Sequence, residues 1–246
     1  MLTPERLFAL NRREFTVLGL SALGTSALGF WAVSTTSAAT GSLPHRPPGA
    51  GGLRRGGNTD PAAAERRFLE QCIRCGQCAG PCPEQAMEGR VEKAIRFYGV
   101  AAGAQAGTPF IAPRLAPCLM CVDLPCVRAC PTGALDPALT DITEARMGTA
   151  VIVDREGCLA LQGLRCEVCY ARCPARGTAI TLEQQVNPRT GVHAIFEPVV
   201  HKDACTGCGV CEQVCPREEA VIKVGRLVPS PRDSDRFYQF KEPRPL

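Results

Sequence analysis

An α+β fold, rich in loops and built twice on one small plan, is what this sequence predicts. Three observations predict it. Sixteen cysteines fall into four groups of four, each closed by a proline. Short β-branched runs stand before and after the last two groups. Aromatic residues make up only 5% of the chain, against 24 Gly and 21 Pro, so turns are many and something besides side-chain packing must hold the core.

The chain opens with adjacent Arg12 and Arg13, then Phe15 and an uncharged stretch that lasts to Val33. Ser37, Ala38 and Ala39 follow as a small-residue cleavage site. This order makes residues 1–39 a signal peptide, with the two arginines as a twin-arginine export address. A retained anchor is the alternative, but the glycines and hydroxyls inside the stretch favour removal. Residues 40–61 read as a Pro/Gly/Arg linker with little prospect of regular structure. Residues 62–70 read as a helix entered through Asp60 and Pro61, an N-cap followed by proline in the first turn. Residues 90–100 read as another helix. Residues 150–154 (AVIVD) and 178–183 (TAITLE) read as strands on either side of the third cysteine group. Residues 196–201 (FEPVVH) and 220–224 (AVIKV) do the same around the fourth.

The cysteine groups are Cys72, Cys75, Cys78 and Cys82; Cys118, Cys121, Cys126 and Cys130; Cys158, Cys166, Cys169 and Cys173; and Cys205, Cys208, Cys211 and Cys215. Groups one and four have the spacing C-x2-C-x2-C-x3-C-P, the run of bacterial ferredoxins. Group two has four residues in its second gap, and group three has seven in its first. Three closely spaced thiolates can wrap one corner of a 4Fe-4S cluster, while loop N–H groups aim at its sulfurs. Gly76, Gly207 and Gly209 suit a backbone that must come close. The fourth cysteine of each group sits on the helix that leaves the loop and completes a second cluster. Pro83, Pro131, Pro174 and Pro216 then fix the exit path.

Disulfides and zinc explain the pattern less well. Blocks that each end in Cys-Pro have no reason to recur in a disulfide scaffold. Zinc would use two C-x2-C pairs and leave the x3 spacing without a role. Sixteen thiolates at four per cluster predict four 4Fe-4S clusters. Groups two and three both carry insertions, and the segment between them has the form of a ferredoxin connector. The expected ligand sets are therefore Cys72/Cys75/Cys78/Cys215, Cys118/Cys121/Cys126/Cys173, Cys158/Cys166/Cys169/Cys130 and Cys205/Cys208/Cys211/Cys82. They define two bacterial dicluster ferredoxin-like modules, an outer one of residues 62–107 plus 197–246 and an inner one of 108–196.

Export and clusters explain each other. Cluster assembly needs reduced thiols, whereas an outside compartment favours disulfides, so the chain must be loaded before it leaves. A twin-arginine translocase carries folded cargo to the periplasm, where the protein is expected beside the membrane. The net charge of +4, or +3 without residues 1–39, is too small to argue for nucleic acid. Basic residues at 46–67 and from Lys223 onward read as solvated surface, and Glu218 and Glu219 as exposed charge. His45, His193 and His201 are scattered outside the groups and read as ordinary loop or strand residues. Tyr170 is expected to pack over a cluster. No Gly-rich phosphate loop or Ser/His/Asp set is present, so no catalytic residue is assigned.

With the four groups laid out, the chain resembles the NapG/MauM family of ferredoxin-type proteins. The resemblance is carried by RPPGA (46–50), CIRCGQC (72–78), ARMGTAVIVD (145–154), QGLRCEVCYARCP (162–174) and DACTGCGVCEQVCP (203–216). The seven residues between Cys158 and Cys166 are its most specific part, and residues 83–94 are more charged than the family pattern. A NapG-like identity implies electron transfer from the quinol pool toward a periplasmic nitrate reductase. It would act with a membrane-bound iron-sulfur quinol-oxidising protein and with the periplasmic reductase or its cytochrome. A MauM-like identity implies methylamine utilisation. The electron-transfer subunit of another exported molybdenum enzyme, or a maturation factor with structural clusters, are the remaining alternatives.

Overall fold

The computed structural model describes residues 44–57, 60–87, 89–187, 190–192 and 194–225. The export signal expected over residues 1–39, His193 and the basic tail beyond residue 225 lie outside the described residues. Among the described residues no helix is long and apolar enough to cross a membrane.

Helix α1, Pro61–Gln71, begins as predicted. The Asp60 side chain accepts the Ala62 N–H at 2.9 Å and Pro61 fills the first turn. Pro61, Ala64 and Phe68 recur at helical spacing and form its buried face. The helix ends at Cys72, so it delivers the first cysteine loop directly.

The segment before α1 is not a spacer. His45, Pro47, Pro48 and Ala50 are buried. Its backbone bonds to distant chain: His45 exchanges two hydrogen bonds with Ile111, the Gly51 N–H donates to Ala134, and the Arg55 N–H to Glu144. Arg46, expected on a solvated surface, is buried. Its guanidinium pairs with Glu65 at 2.6 Å, donates to Thr108 Oγ1 and the Pro109 carbonyl, and lies over the Phe68 ring. Proline lacks the N–H that burial would orphan, so a Pro-rich segment can be buried without regular structure.

The helix expected over residues 90–100 is replaced by strands. β1 (Glu84–Met87) and β2 (Arg90–Lys93) form a hairpin across Gly89, whose φ is 80°. β3 (Ile95–Phe97) pairs with β4 (Pro109–Ile111), with Ile95 opposite Ile111. A left-handed glycine turn followed by Val, Ile and Phe decides for strand over helix.

A one-turn helix α2, Pro125–Arg128, carries Cys126. The rest of the chain follows the predicted order. β5 (Thr149–Ile152) leads to the third cysteine group and α3 (Val168–Ala171). β6 (Ile180–Val186) and β7 (Ala194–Val200) form a seven-residue hairpin that leads to the fourth group and α4 (Val210–Gln213). β8 (Ile222–Gly225) then returns to β5, with Ile152 opposite Ile222, so the span from 149 to 225 closes on itself.

Two cores result. Phe68, Ile95, Ile111, Leu135 and Leu139 anchor the first, and Ala150, Ile180, Ile222 and Val224 the second. Cysteines line both, and Tyr170 packs half-buried against the second. Lys223 is buried rather than solvated, and its ammonium pairs with Glu219 at 2.6 Å. His201 is exposed and its Nε2 shares a hydrogen bond with Thr181 Oγ1 at 2.8 Å.

Candidate metal centres

Three of the four cysteine loops share a backbone shape. Arg74, Met120 and Gly207, each placed just before the second cysteine of its group, have φ of 59°, 56° and 76°. The left-handed conformation costs a side-chain-bearing residue ~1–2 kcal/mol, so Arg74 and Met120 must be held there. Arg74 donates from Nε to the Ala106 carbonyl at 2.9 Å and from Nη2 to the Ala104 carbonyl at 3.1 Å. Met120 Sδ accepts from Thr206 Oγ1 at 3.5 Å. Gly207 and Gly209 line the group-four hollow and also meet neighbouring chain. A Cβ on Gly207 would stand 2.3 Å from the Gly148 nitrogen, and one on Gly209 2.4 Å from the Pro113 Cβ. Both make room for neighbouring chain.

The sixteen thiols ring four hollows. Cys72, Cys75, Cys78 and Cys130 line one of about 340 Å³, and Cys118, Cys121, Cys126 and Cys82 one of about 400 Å³. Cys158, Cys166, Cys169 and Cys215 line one of about 410 Å³, and Cys205, Cys208, Cys211 and Cys173 one of about 390 Å³. Each hollow thus takes three thiols from one group and the last thiol of another, the three-plus-one exchange that the spacing predicts.

The partners of that exchange differ from expectation. Group one pairs with group two, and group three with group four; the nested outer and inner arrangement does not form. The cause lies in the connections. The β1–β2 hairpin and the β3–β4 pair lie between groups one and two, and the β6–β7 hairpin between groups three and four. Each returns the chain near its starting point. The connector between groups two and three instead bonds to the buried segment before α1, with the Asp136 N–H donating to Gly49 at 2.9 Å.

The thiols are held where they resist ionising alone. Burial pushes Cys78 up to about 12, and its neighbours Cys126, Cys72, Cys130 and Cys75 push the same way. Burial, followed by Cys82, raises Cys126 to about 12. Burial also raises Cys169 and Cys208 to about 11 and lifts Cys118 and Cys211 well above the ordinary thiol range. Cys130 goes the other way. Burial raises it, but the Leu135 N–H at 3.4 Å and further donors outweigh that and lower it. Crowded buried thiols can ionise together only around a compensating cation, so loading must expel protons. Among the described residues no three His, Cys, Asp or Glu side chains converge at the closeness a single metal ion needs. Thiols spread around a hollow suit a multi-iron cluster, and the donor set fits 4Fe-4S.

Arg114 has no signal in the sequence, where it stands alone in APRLAP. Its Nη1 donates to the carbonyls of Glu212, Gln213 and Cys215 at 2.9, 3.1 and 2.9 Å. Its Nη2 donates to Arg217 and Glu218 at 2.7 and 3.2 Å. One guanidinium thus caps the C-terminal end of α4, where carbonyls lack helical partners. It also fixes the backbone of Cys215.

Residues 162–218 match the 4Fe-4S dicluster domain. That span holds three cysteines of group three and all of group four, the two groups whose thiols share hollows. Fold, thiol sets and domain match define a ferredoxin-type iron-sulfur protein. The chain is 44% identical to "Ferredoxin-type protein NapG" of Escherichia coli, over 94% of this chain and 92% of the relative. It is 45% identical to the Haemophilus influenzae protein of that name, over 91% of this chain and 72% of the relative. "Methylamine utilization ferredoxin-type protein MauM" of Methylorubrum extorquens is 40% identical, over 87% of this chain and 88% of the relative. No solved structure matches. The chain belongs to the NapG/MauM family of ferredoxin-type proteins.

Proposed function

We propose that the chain is an exported electron carrier with four 4Fe-4S clusters. It relays electrons from a membrane-bound iron-sulfur quinol-oxidising protein to a periplasmic reductase or its cytochrome in a nitrate reductase system. The observation that carries this reading is the set of four hollows, each with four thiols in the three-plus-one pattern. A bound 4Fe-4S cluster takes up and releases one electron at a time. The protein's part is to hold each set of thiolates and to keep it dry with apolar side chains such as Ile111, Leu135, Ile180 and Ile222. The halves on either side of residue 148 act as two dicluster modules in tandem. The twin-arginine signal delivers the loaded protein to the periplasm, at the membrane face where its quinol-oxidising partner sits.

Similarity to NapG along almost the whole chain supports the nitrate reading. A deletion strain tests it. Quinol-dependent nitrate reduction should slow while reduction from an artificial dye persists, because the dye bypasses the relay. Loss of dye-dependent activity as well would mean that the protein matures the reductase. The MauM relatives, one of them 48% identical over 66% of this chain, support a second reading in methylamine utilisation. Intact nitrate reduction with failed growth on methylamine would decide for it.

A further inference from the structure

We infer that the two halves exchange electrons at one seam, where group two meets group four, so that the four ligand sets stand in the order one, two, four, three. The inference rests on the four-cluster reading. Within the first half, Cys130 lines the hollow of group one and Cys82 that of group two, which joins the two sets. Within the second half, Cys215 lines the hollow of group three and Cys173 that of group four, which joins those two sets.

Contacts between the halves gather where residues 113–120, at the start of group two, meet the group-four loop. The Cys118 N–H donates to the Cys208 carbonyl at 2.9 Å, so two ligand residues of different sets share one hydrogen bond. Cys208 packs in the core of the first half, against which Cys118 also packs. Met120, which lies between the ligands Cys118 and Cys121, lines the hollow of the group-four set and accepts the Thr206 hydroxyl. Pro113 packs where Gly209 has no Cβ, and Arg114 binds the carbonyl of Cys215.

Residues 113–120 therefore lie along the group-four loop, and the left-handed turn at Met120 aims its side chain across the seam. This order puts the sets of groups one and three at the ends. Cys75 is exposed at one end, and Leu164, 57% exposed, lies in the insertion at the other.

The test is electron paramagnetic resonance on full-length, anaerobically purified and fully reduced protein. A Cys75→Ala and Cys166→Ala double variant removes the end clusters and leaves those of groups two and four. Its iron should fall to about half, and the two remaining signals should be magnetically coupled. A Cys121→Ala and Cys205→Ala double variant leaves the end clusters, whose signals should be independent. Two independent signals in the first variant, or a coupled pair in the second, would overturn the order. Should a double variant lose all its iron, Cys75→Ala alone decides. Only the group-two signal should sharpen, and sharpening of the group-three signal would overturn the order. Iron on the native chain separates the two readings. A native content of about half the four-cluster value overturns the four-cluster reading and the order with it, whereas a full content with an uncoupled middle pair overturns the order alone.

Discussion

Replacing Arg114 by alanine removes a half-buried guanidinium that binds five carbonyls, those of Glu212, Gln213, Cys215, Arg217 and Glu218. A hydrogen bond to a charged group is worth ~1.5–3 kcal/mol. The five acceptors share the four hydrogens of Nη1 and Nη2, and the two contacts from Nη2 are exposed. Counting the Nη1 contacts and discounting the exposed ones gives a loss of about 3 kcal/mol. At ~2–4 °C per kcal/mol for a chain of this size, the midpoint should drop by roughly 6–12 °C. The assay is anaerobic heating followed by loss of the visible cluster absorbance. Arg114→Lys should recover only part of the drop, because one ammonium cannot span both ends of the carbonyl row. A shift for Arg114→Ala no larger than that of a neutral surface change, about 0.5 kcal/mol, would refute the clamp.

Three further outcomes are expected. A truncated chain of residues 147–246, with groups three and four, should bind two clusters, whereas one of residues 108–196 should bind none; the reverse would restore the nested pairing. The iron-free chain should loosen as pH rises from 9 toward 12, as followed by urea denaturation. Cys78, Cys126, Cys169 and Cys208 have folded-state values raised from 9.0 to about 11–12, so the stability they lend is full below pH 9 and is lost above it. A flat profile over that range would contradict the buried thiols. Replacing Arg12 and Arg13 by lysines should leave loaded protein in the cytoplasm by fractionation, and unimpaired export would rule out the twin-arginine route.

The ligand pattern was legible because cluster chemistry restricts spacing. Three thiols must reach one cluster from a short loop, which leaves the last cysteine of each group for another. That cysteine is expected on the exiting helix, but the one-turn helices carry the third cysteine and the fourth follows them, as with Cys126 and Cys130 at α2. Which groups exchange was not legible in the insertions. It depends on hairpins such as β6–β7, which return the chain locally, and on the segment that holds Asp136 against Gly49. β5 to β8 fell on β-branched runs, where local preference and burial agree. Residues 90–100 misled because charged residues such as Arg90, Glu92 and Lys93 suit a helix by propensity, while the Gly89 turn and the pairing of Ile95 with Ile111 favour strands. Residues 44–57 misled for another reason. Pro and Gly mark irregular backbone, and irregular backbone is usually exposed, yet here Arg46 finds Glu65, Thr108 and the Pro109 carbonyl inside the fold. No local pattern announces such distant partners.

We propose that the sixteen free thiols hold four 4Fe-4S clusters. Iron and acid-labile sulfide, measured per chain on anaerobically purified protein, test it most directly. About sixteen of each are expected, from four per set. About eight of each, or zinc in place of iron, would contradict it.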